Sequence, residues 1–305
     1  MLNVRHVVCA VDFSDCSKRA LAHAAALARW YEARLTALHV WANIPAFNVV
    51  PSIQRYETPS TSLEEAERAA ITGELREFCC RIAGKIPVTP VVCDAPNIES
   101  EIAAQVDALH ADLLVVGSHG RSGFQHFLLG SVAEKIVRKA SCPVMVVPAH
   151  DMTTPTEVRF KRVICPVDFS ETSLAALEYA LSLAEESDSR LTLVHVVELP
   201  PELNALPTRE GVDVDAVRAA AQADALTRLR ALIPAEVHAY CTIETTVADG
   251  KAHRVVVAMA RETGADLIVM GVSGHGAIDR WVFGSNTASV MRAARCPVLI
   301  VRRPV

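Results

Sequence analysis

The stretch Cys9-Ala-Val-Asp-Phe-Ser-Asp-Cys-Ser17 returns as Cys165-Pro-Val-Asp-Phe-Ser-Glu-Thr-Ser173, with six of nine positions identical. Leu35-Thr-Ala-Leu-His-Val40 returns as Leu191-Thr-Leu-Val-His-Val196, and Ala111-Asp-Leu-Leu-Val-Val-Gly117 as Ala265-Asp-Leu-Ile-Val-Met-Gly271. Gly130-Ser131 through Cys142-Pro-Val144 returns as Gly284-Ser285 through Cys296-Pro-Val298. The first two matches are offset by 156 residues and the last two by 154, so the copies differ by a net two residues lost between them. Two long copies mean a duplicated domain, because a solenoid needs more and shorter repeats. A chain of 305 residues also exceeds one ordinary core. The expected domains are 1–148 and 161–305, with the polar stretch 149–160 as linker.

Within each copy, short β-branched runs alternate with Ala/Leu-rich helical stretches. Strands are expected at Val4–Val11, Leu35–Val40, Val88–Val92, Leu113–Val116 and Val144–Val147, with helices at Asp15–Glu32, Ser62–Ala83, Ile98–His110 and Gly130–Ala140. Ser14 is placed to cap the first helix. The second copy repeats the pattern, with strands near 162–167, 191–197, 239–247, 267–270 and 298–301. Such alternation predicts an α/β fold of two tandem Rossmann-like domains. Each would be a five-stranded parallel sheet in the order 3-2-1-4-5, with helices on both faces. Residues 41–61 and 199–211 read as variable connections.

Composition narrows the function. Net charge is −5 and no Lys/Arg run stands out, which argues against nucleic acid held on a basic face. No apolar stretch approaches the ~20 residues of a membrane span, and the N-terminal run lacks a signal-peptide cleavage site. The nine cysteines lie mostly in apolar runs, none spaced CxxC, and read as buried free thiols of a reducing, cytoplasmic compartment. The histidines form no HxxxH or HExxH pair, so no metal site is expected.

After the fourth strand comes Gly117-Ser-His-Gly120, nine residues, then Gly130-Ser131; the second copy has Gly271-Val-Ser-Gly274, nine residues, then Gly284-Ser285. Glycines there let the backbone turn and approach a ligand. A Gly-Ser helix opening offers free N–H groups and the positive dipole end to an anion. Open α/β sheets bind ligands where the winding direction reverses, here between the first and fourth strands. Asp12 and Asp168 end the first strands and face that crevice, where a carboxylate can accept from ribose hydroxyls or a base. The chain contains no GxxxxGK[ST], no GxGxxG after a first strand and no GxSxG elbow.

The G-x2-G-x9-G-[ST] spacing, the leading VDFS strand and the closing CPV strand resemble the universal stress protein family in its tandem two-domain form. The resemblance covers nearly the whole chain outside the linker and the two variable connections. It implies binding of ATP, or of ADP or AMP, with Mg2+ as a candidate companion. Adenosine would be held by Asp12 and Val40, and by Asp168 and Val196. Ribose and phosphates would fall to Gly117, Gly120, Gly130 and Ser131, and to Gly271, Gly274, Gly284 and Ser285. Single-domain members pair through the fifth strand, so the resemblance also implies an intramolecular pseudo-dimer through Val144–Val147 and Val298–Val301. Apolar edge strands invite such pairing on physical grounds as well. A further homodimer is left open.

The copies differ in detail. Arg121 stands where the second copy has His275, and Val132 becomes Asn286. A permanent cation favours the first crevice for phosphate, though both are expected to be competent. The resemblance also puts Asp94 where the family usually has a glycine before the third helix, a glycine that the second copy keeps as Gly250. His39 and His195 are expected to be buried and hydrogen-bonded. His119 and His126 are weaker candidates for phosphate or magnesium, and Phe124, Phe127, Trp281 and Phe283 are expected to pack the loop. The leading expectation is a regulatory adenine-nucleotide-binding protein of the stress response without efficient catalysis. The alternatives are a slow ATPase or autophosphorylating phosphotransferase, and a nucleotide-free scaffold. Fast phosphoryl transfer needs a metal ligand and a group positioning the nucleophile, and no catalytic residue is nominated.

Overall fold

The computed structural model describes residues 4–42, 64–120, 130–149, 160–199, 213–235, 237, 241–273 and 284–302. The first copy runs β1 (His6–Ala10), α1 (Asp15–Trp30), β2 (Arg34–Ala42), α2 (Glu65–Ala83), β3 (Val88–Ala95), α3 (Ile98–Ala108), β4 (Leu113–Gly117), α4 (Ser131–Lys139) and β5 (Val144–Val147). The second runs β6 (Arg162–Pro166), α5 (Glu171–Ser187), β7 (Arg190–Val197), α6 (Val214–Ala231), β8 (Thr242–Asp249), α7 (Ala252–Thr263), β9 (Leu267–Gly271), α8 (Ser285–Ala293) and β10 (Val298–Val301).

Among the described residues ten strands join one sheet, in the order β3-β2-β1-β4-β5-β10-β9-β6-β7-β8. Within each copy the order is the expected 3-2-1-4-5 and every pairing is parallel. The one antiparallel junction among the described strands is β5 with β10, where Val146 faces Val298, Met145 faces Leu299 and Val144 faces Ile300. Both faces are covered, which explains why the strands read as continuous apolar runs. Val7, Cys9 and Val115 pack with Leu75 of α2, Leu229 of α6 and the alanines of α1 and α5. Val8, Leu114 and Val146 turn the other way, against α3, α4, α7 and α8. The period-two alternation of the strands thus feeds two core layers.

The copies also meet outside the strands. Trp30 of α1 stacks on Tyr31 and reaches Phe160, with ring centroids 6.1 Å apart. Phe160, expected at the end of the linker, is buried at 3% exposure and belongs to the core. Arg302 donates to Val137 O across the junction at 2.8 Å.

Several element boundaries differ from expectation. The second helix begins at Glu65 rather than Ser62, behind a capping box made by Glu64 and Glu67. The third strand of the second copy begins at Thr242 rather than 239. Its sequence, TIETTVAD, is a half-polar edge strand with little apolar signal. The reading of Asp94 against Gly250 is also wrong by one position. Trp41 pairs with Asp94 and Val197 with Asp249, so the two aspartates correspond and Ala95 matches Gly250. Both aspartates take an arginine from the preceding helix, Arg68 with Asp94 and Arg218 with Asp249. The nine cysteines are free thiols, Cys80 exposed, and burial pushes Cys9 and Cys165 well above the ordinary range.

Glu134 of α4 bonds Arg138 on its own helix at 2.8 Å and meets Arg292 of α8 at 3.4 Å. The Arg138 hydrogen bond, helped by Arg292, holds its carboxyl below the ordinary 4.5 against a desolvation that would raise it. The folded chain therefore binds this proton less readily than the unfolded one. The contribution is present above the unfolded value and is lost as pH falls through the folded one. Glu134→Gln is expected to lower the urea midpoint at about pH 7 and to lower it less at about pH 3. Equal losses at both would assign the effect to packing rather than charge.

Candidate functional site

The cavity of interest, about 490 Å³, opens at the carboxyl ends of β1, β2 and β4. That is the reversal point of the first copy's winding. Of the residues expected to bind there, Asp12, Val40, Gly117, Gly120, Gly130, Ser131 and Val132 all line it. Arg121, Phe124, His126 and Phe127 lie outside the described residues. The volume falls within the ~300–1,000 Å³ range of small-molecule sites.

Asp12 is held by a local turn. Its Oδ1 accepts from Ser14 N at 3.1 Å and Ser14 Oγ at 2.5 Å, while the Ser14 hydroxyl caps α1 by accepting from Ser17 N. Its Oδ2 faces the glycine loop, since a Cβ added at Gly120 would sit 2.7 Å from that oxygen. Between them Phe13 takes φ 64°, a left-handed backbone for a bulky residue. Such conformations cost on the order of 1–3 kcal/mol and gather at functional sites. Phe169 repeats it with φ 64°, and Asp168 accepts from Ser170 in the same way. The turn is a built feature of both copies.

The glycines divide by role. Gly117 and Gly271 were expected to turn the chain and approach a ligand. Their first duty is packing, because an added Cβ would come within 2.9 Å of Cys16 Sγ at Gly117 and 2.7 Å of the Thr172 backbone at Gly271. Gly130 is the N-cap of α4 and donates to Ser118 O at 2.8 Å; Gly284 donates to Val272 O at 3.0 Å before α8. Ser131, Val132 and Ala133, the first residues of α4, line the cavity. Their N–H groups have no acceptor within the helix, so its positive end opens on the cavity.

Much of the remaining lining is apolar, formed by Trp41, Ala42, Ile98, Ile102 and Ile136. None of these was singled out from sequence. Ile98 and Ile102 are one helical turn apart at the start of α3, and that spacing was the available signal. His39 is buried and donates through Nδ1 to Val11 O at 2.7 Å, as expected, yet it also borders the cavity. His195 makes the same bond to Val167 O at 2.7 Å. His119 lines the cavity and shares a 2.8 Å hydrogen bond with the Ser118 hydroxyl. Among the described residues no group of three His, Cys, Asp or Glu could hold a metal ion. No helix among them is long and apolar enough to cross a membrane.

In the second copy Asp168, Val196, Gly271, Gly284, Ser285 and Asn286 take the corresponding places in the same strand registers. Gly274, His275, Trp281 and Phe283 lie outside the described residues.

The universal stress protein family model matches the chain twice, over residues 3–148 and 159–302. A universal stress protein of Mycobacterium tuberculosis is 31% identical over 205 residues, which is 63% of this chain and 62% of that relative's length. Universal stress protein G of Salmonella typhimurium is 35% identical over 145 residues, 47% of this chain and 99% of that protein. Among solved structures, a universal stress protein of Archaeoglobus fulgidus superposes with a TM-score of 0.65 at 22% identity, covering 98% of this chain and 96% of that one. With the family model matched across both copies, the chain belongs to the universal stress protein family.

Proposed function

We propose that this chain is an adenine-nucleotide-binding regulatory protein, its domains at 1–148 and 161–305, in which nucleotide occupancy biases conformation or partnership. The observation that carries this reading is the two-sided chemistry of the first cavity. One wall, Trp41, Ile98 and Ile102, suits the face of a flat base. Asp12 offers a carboxylate to hydroxyls. The α4 N-terminus, with Gly130 and Ser131, suits phosphate oxygens. Polar groups convergent on an apolar cavity are what orient a small ligand.

Calorimetry with ATP and with ADP, each with and without Mg2+, tests this. Saturable binding tighter than about 1 mM is expected. Emission from Trp41, 42% exposed on the cavity wall, should change on binding, and Trp41→Phe should remove that change. Absence of binding at millimolar ligand would overturn the reading.

A further inference from the structure

The first and second crevices can be compared position by position, because β2–β3 and β7–β8 share one register and the helices follow in step. Three wall positions that are apolar in the first copy are polar in the second. Ala42 becomes Glu198, Ile98 becomes His253, and Val132 becomes Asn286. These polar residues are joined to their surroundings. Glu198 accepts from Ala252 N, at the start of α7, at 2.7 Å, and its other oxygen lies 3.7 Å from Lys251 Nζ. His253 Nδ1 meets Asn286 Oδ1 at 3.2 Å, bridging the starts of α7 and α8. In the first copy the start of α3 is capped instead by the neutral Asn97, which accepts from Ser100 N at 2.9 Å.

We infer that these three positions set the base selectivity of the crevices, so that the first is the tight adenine-nucleotide site and the second discriminates against the same ligand. This rests on the nucleotide reading above. A base laid on the first wall meets carbon. Laid on the second, it strips water from a carboxylate and from an imidazole–amide pair whose bonds run to each other and not to the ring. Glu198 also adds negative charge to a crevice that already holds Asp168 and must accept a polyanion. Lys251 offsets this only in part, because its side chain is 64% exposed and its field is screened by water. Among the described residues the asymmetry lies in the walls, while the Asp-Phe-Ser turn and the Gly-Ser helix opening are common to both.

Calorimetric titration with ATP tests the assignment. The native chain should bind one equivalent tightly and a second at least roughly tenfold more weakly. The combined variant Glu198→Ala, His253→Ile, Asn286→Val should bring the second site to within about threefold of the first, giving two equivalents. The converse graft, Ala42→Glu with Ile98→His and Val132→Asn, should weaken the first site by at least roughly tenfold. All six side chains are half-exposed or exposed, so thermal unfolding close to that of the native chain is the check on folding. Two equal sites in the native chain, or a second site unmoved by the first combination, would overturn the inference and leave the nucleotide reading standing. Absence of ATP binding in the native chain and in both variants would overturn the nucleotide reading itself.

Discussion

Gly130→Glu is expected to weaken ATP binding by about a hundredfold or more while the chain stays folded. Gly130 caps α4 with φ −59° and ψ 134°, a backbone that any residue adopts, so no conformational privilege of glycine is lost. A Cβ there would sit 3.2 Å from Ser118 O, a tight fit that needs a small shift of the loop. The new carboxylate then stands beside Ser131 and Gly120, at the end of the cavity where phosphate oxygens belong. Two unit charges ~4 Å apart at an effective dielectric near 20 repel by about 4 kcal/mol, which exceeds the ~2.8 kcal/mol of a hundredfold loss. The same carboxylate lies at a helix N-terminus, where negative charge favours the fold. Charge therefore acts in opposite directions on folding and on binding, and one variant separates them. Gly130→Ala adds the bulk without the charge and should lose much less affinity. Calorimetry and thermal unfolding on both variants check this. Equal losses for alanine and glutamate would show that no phosphate sits at the α4 N-terminus.

Sequence made the fold legible because the same signals occur twice. A repeated strand end, VDFS, and a repeated glycine spacing locate the winding reversal without any measure of packing. The glycine loop and Asp12 were legible for the same reason. The apolar wall was not. Trp41, Ile98, Ile102 and Ile136 are residue types that any α/β core uses, and only their meeting around one cavity distinguishes them. Nor does a sequence announce that Phe13 and Phe169 adopt left-handed backbone, a conformation foreign to phenylalanine. The misreading of Asp94 arose where the copies share little identity and the alignment had no anchor. Strand register, with the arginine–aspartate pairs that follow it, supplied one. Glu198 and His253 escaped notice for a related reason, since their meaning lies in what the other copy has in their places.

Met145→Asp is expected to destabilise the chain by about 4 kcal/mol or more, and to do so in both copies at once. Met145 is 1% exposed and faces Leu299, itself 4% exposed, in the antiparallel junction of β5 and β10. These strands are the fifth and sixth of ten, covered by helices on both faces, so a carboxylate at position 145 has neither water nor a cation to meet. Met145→Leu keeps volume and polarity and should cost less than about 1.5 kcal/mol. The junction is also tied to the candidate sites. Ser118 N, in the first glycine loop, donates to Val147 O at the end of β5 at 2.8 Å, and Val272 N donates to Val301 O at the end of β10 at 3.0 Å. A strand displaced at the junction therefore drags on the loop that opens each helix toward its crevice. Urea unfolding followed by far-ultraviolet dichroism and by tryptophan emission should show coincident transitions in the native chain, as expected of one cooperative sheet. In Met145→Asp the midpoint should fall, and residual ATP affinity should fall with it under conditions where the chain is still folded. An unchanged midpoint would mean that β5 and β10 do not pair in solution. A lowered midpoint with undiminished affinity would mean that the glycine loops hold their shape without the junction.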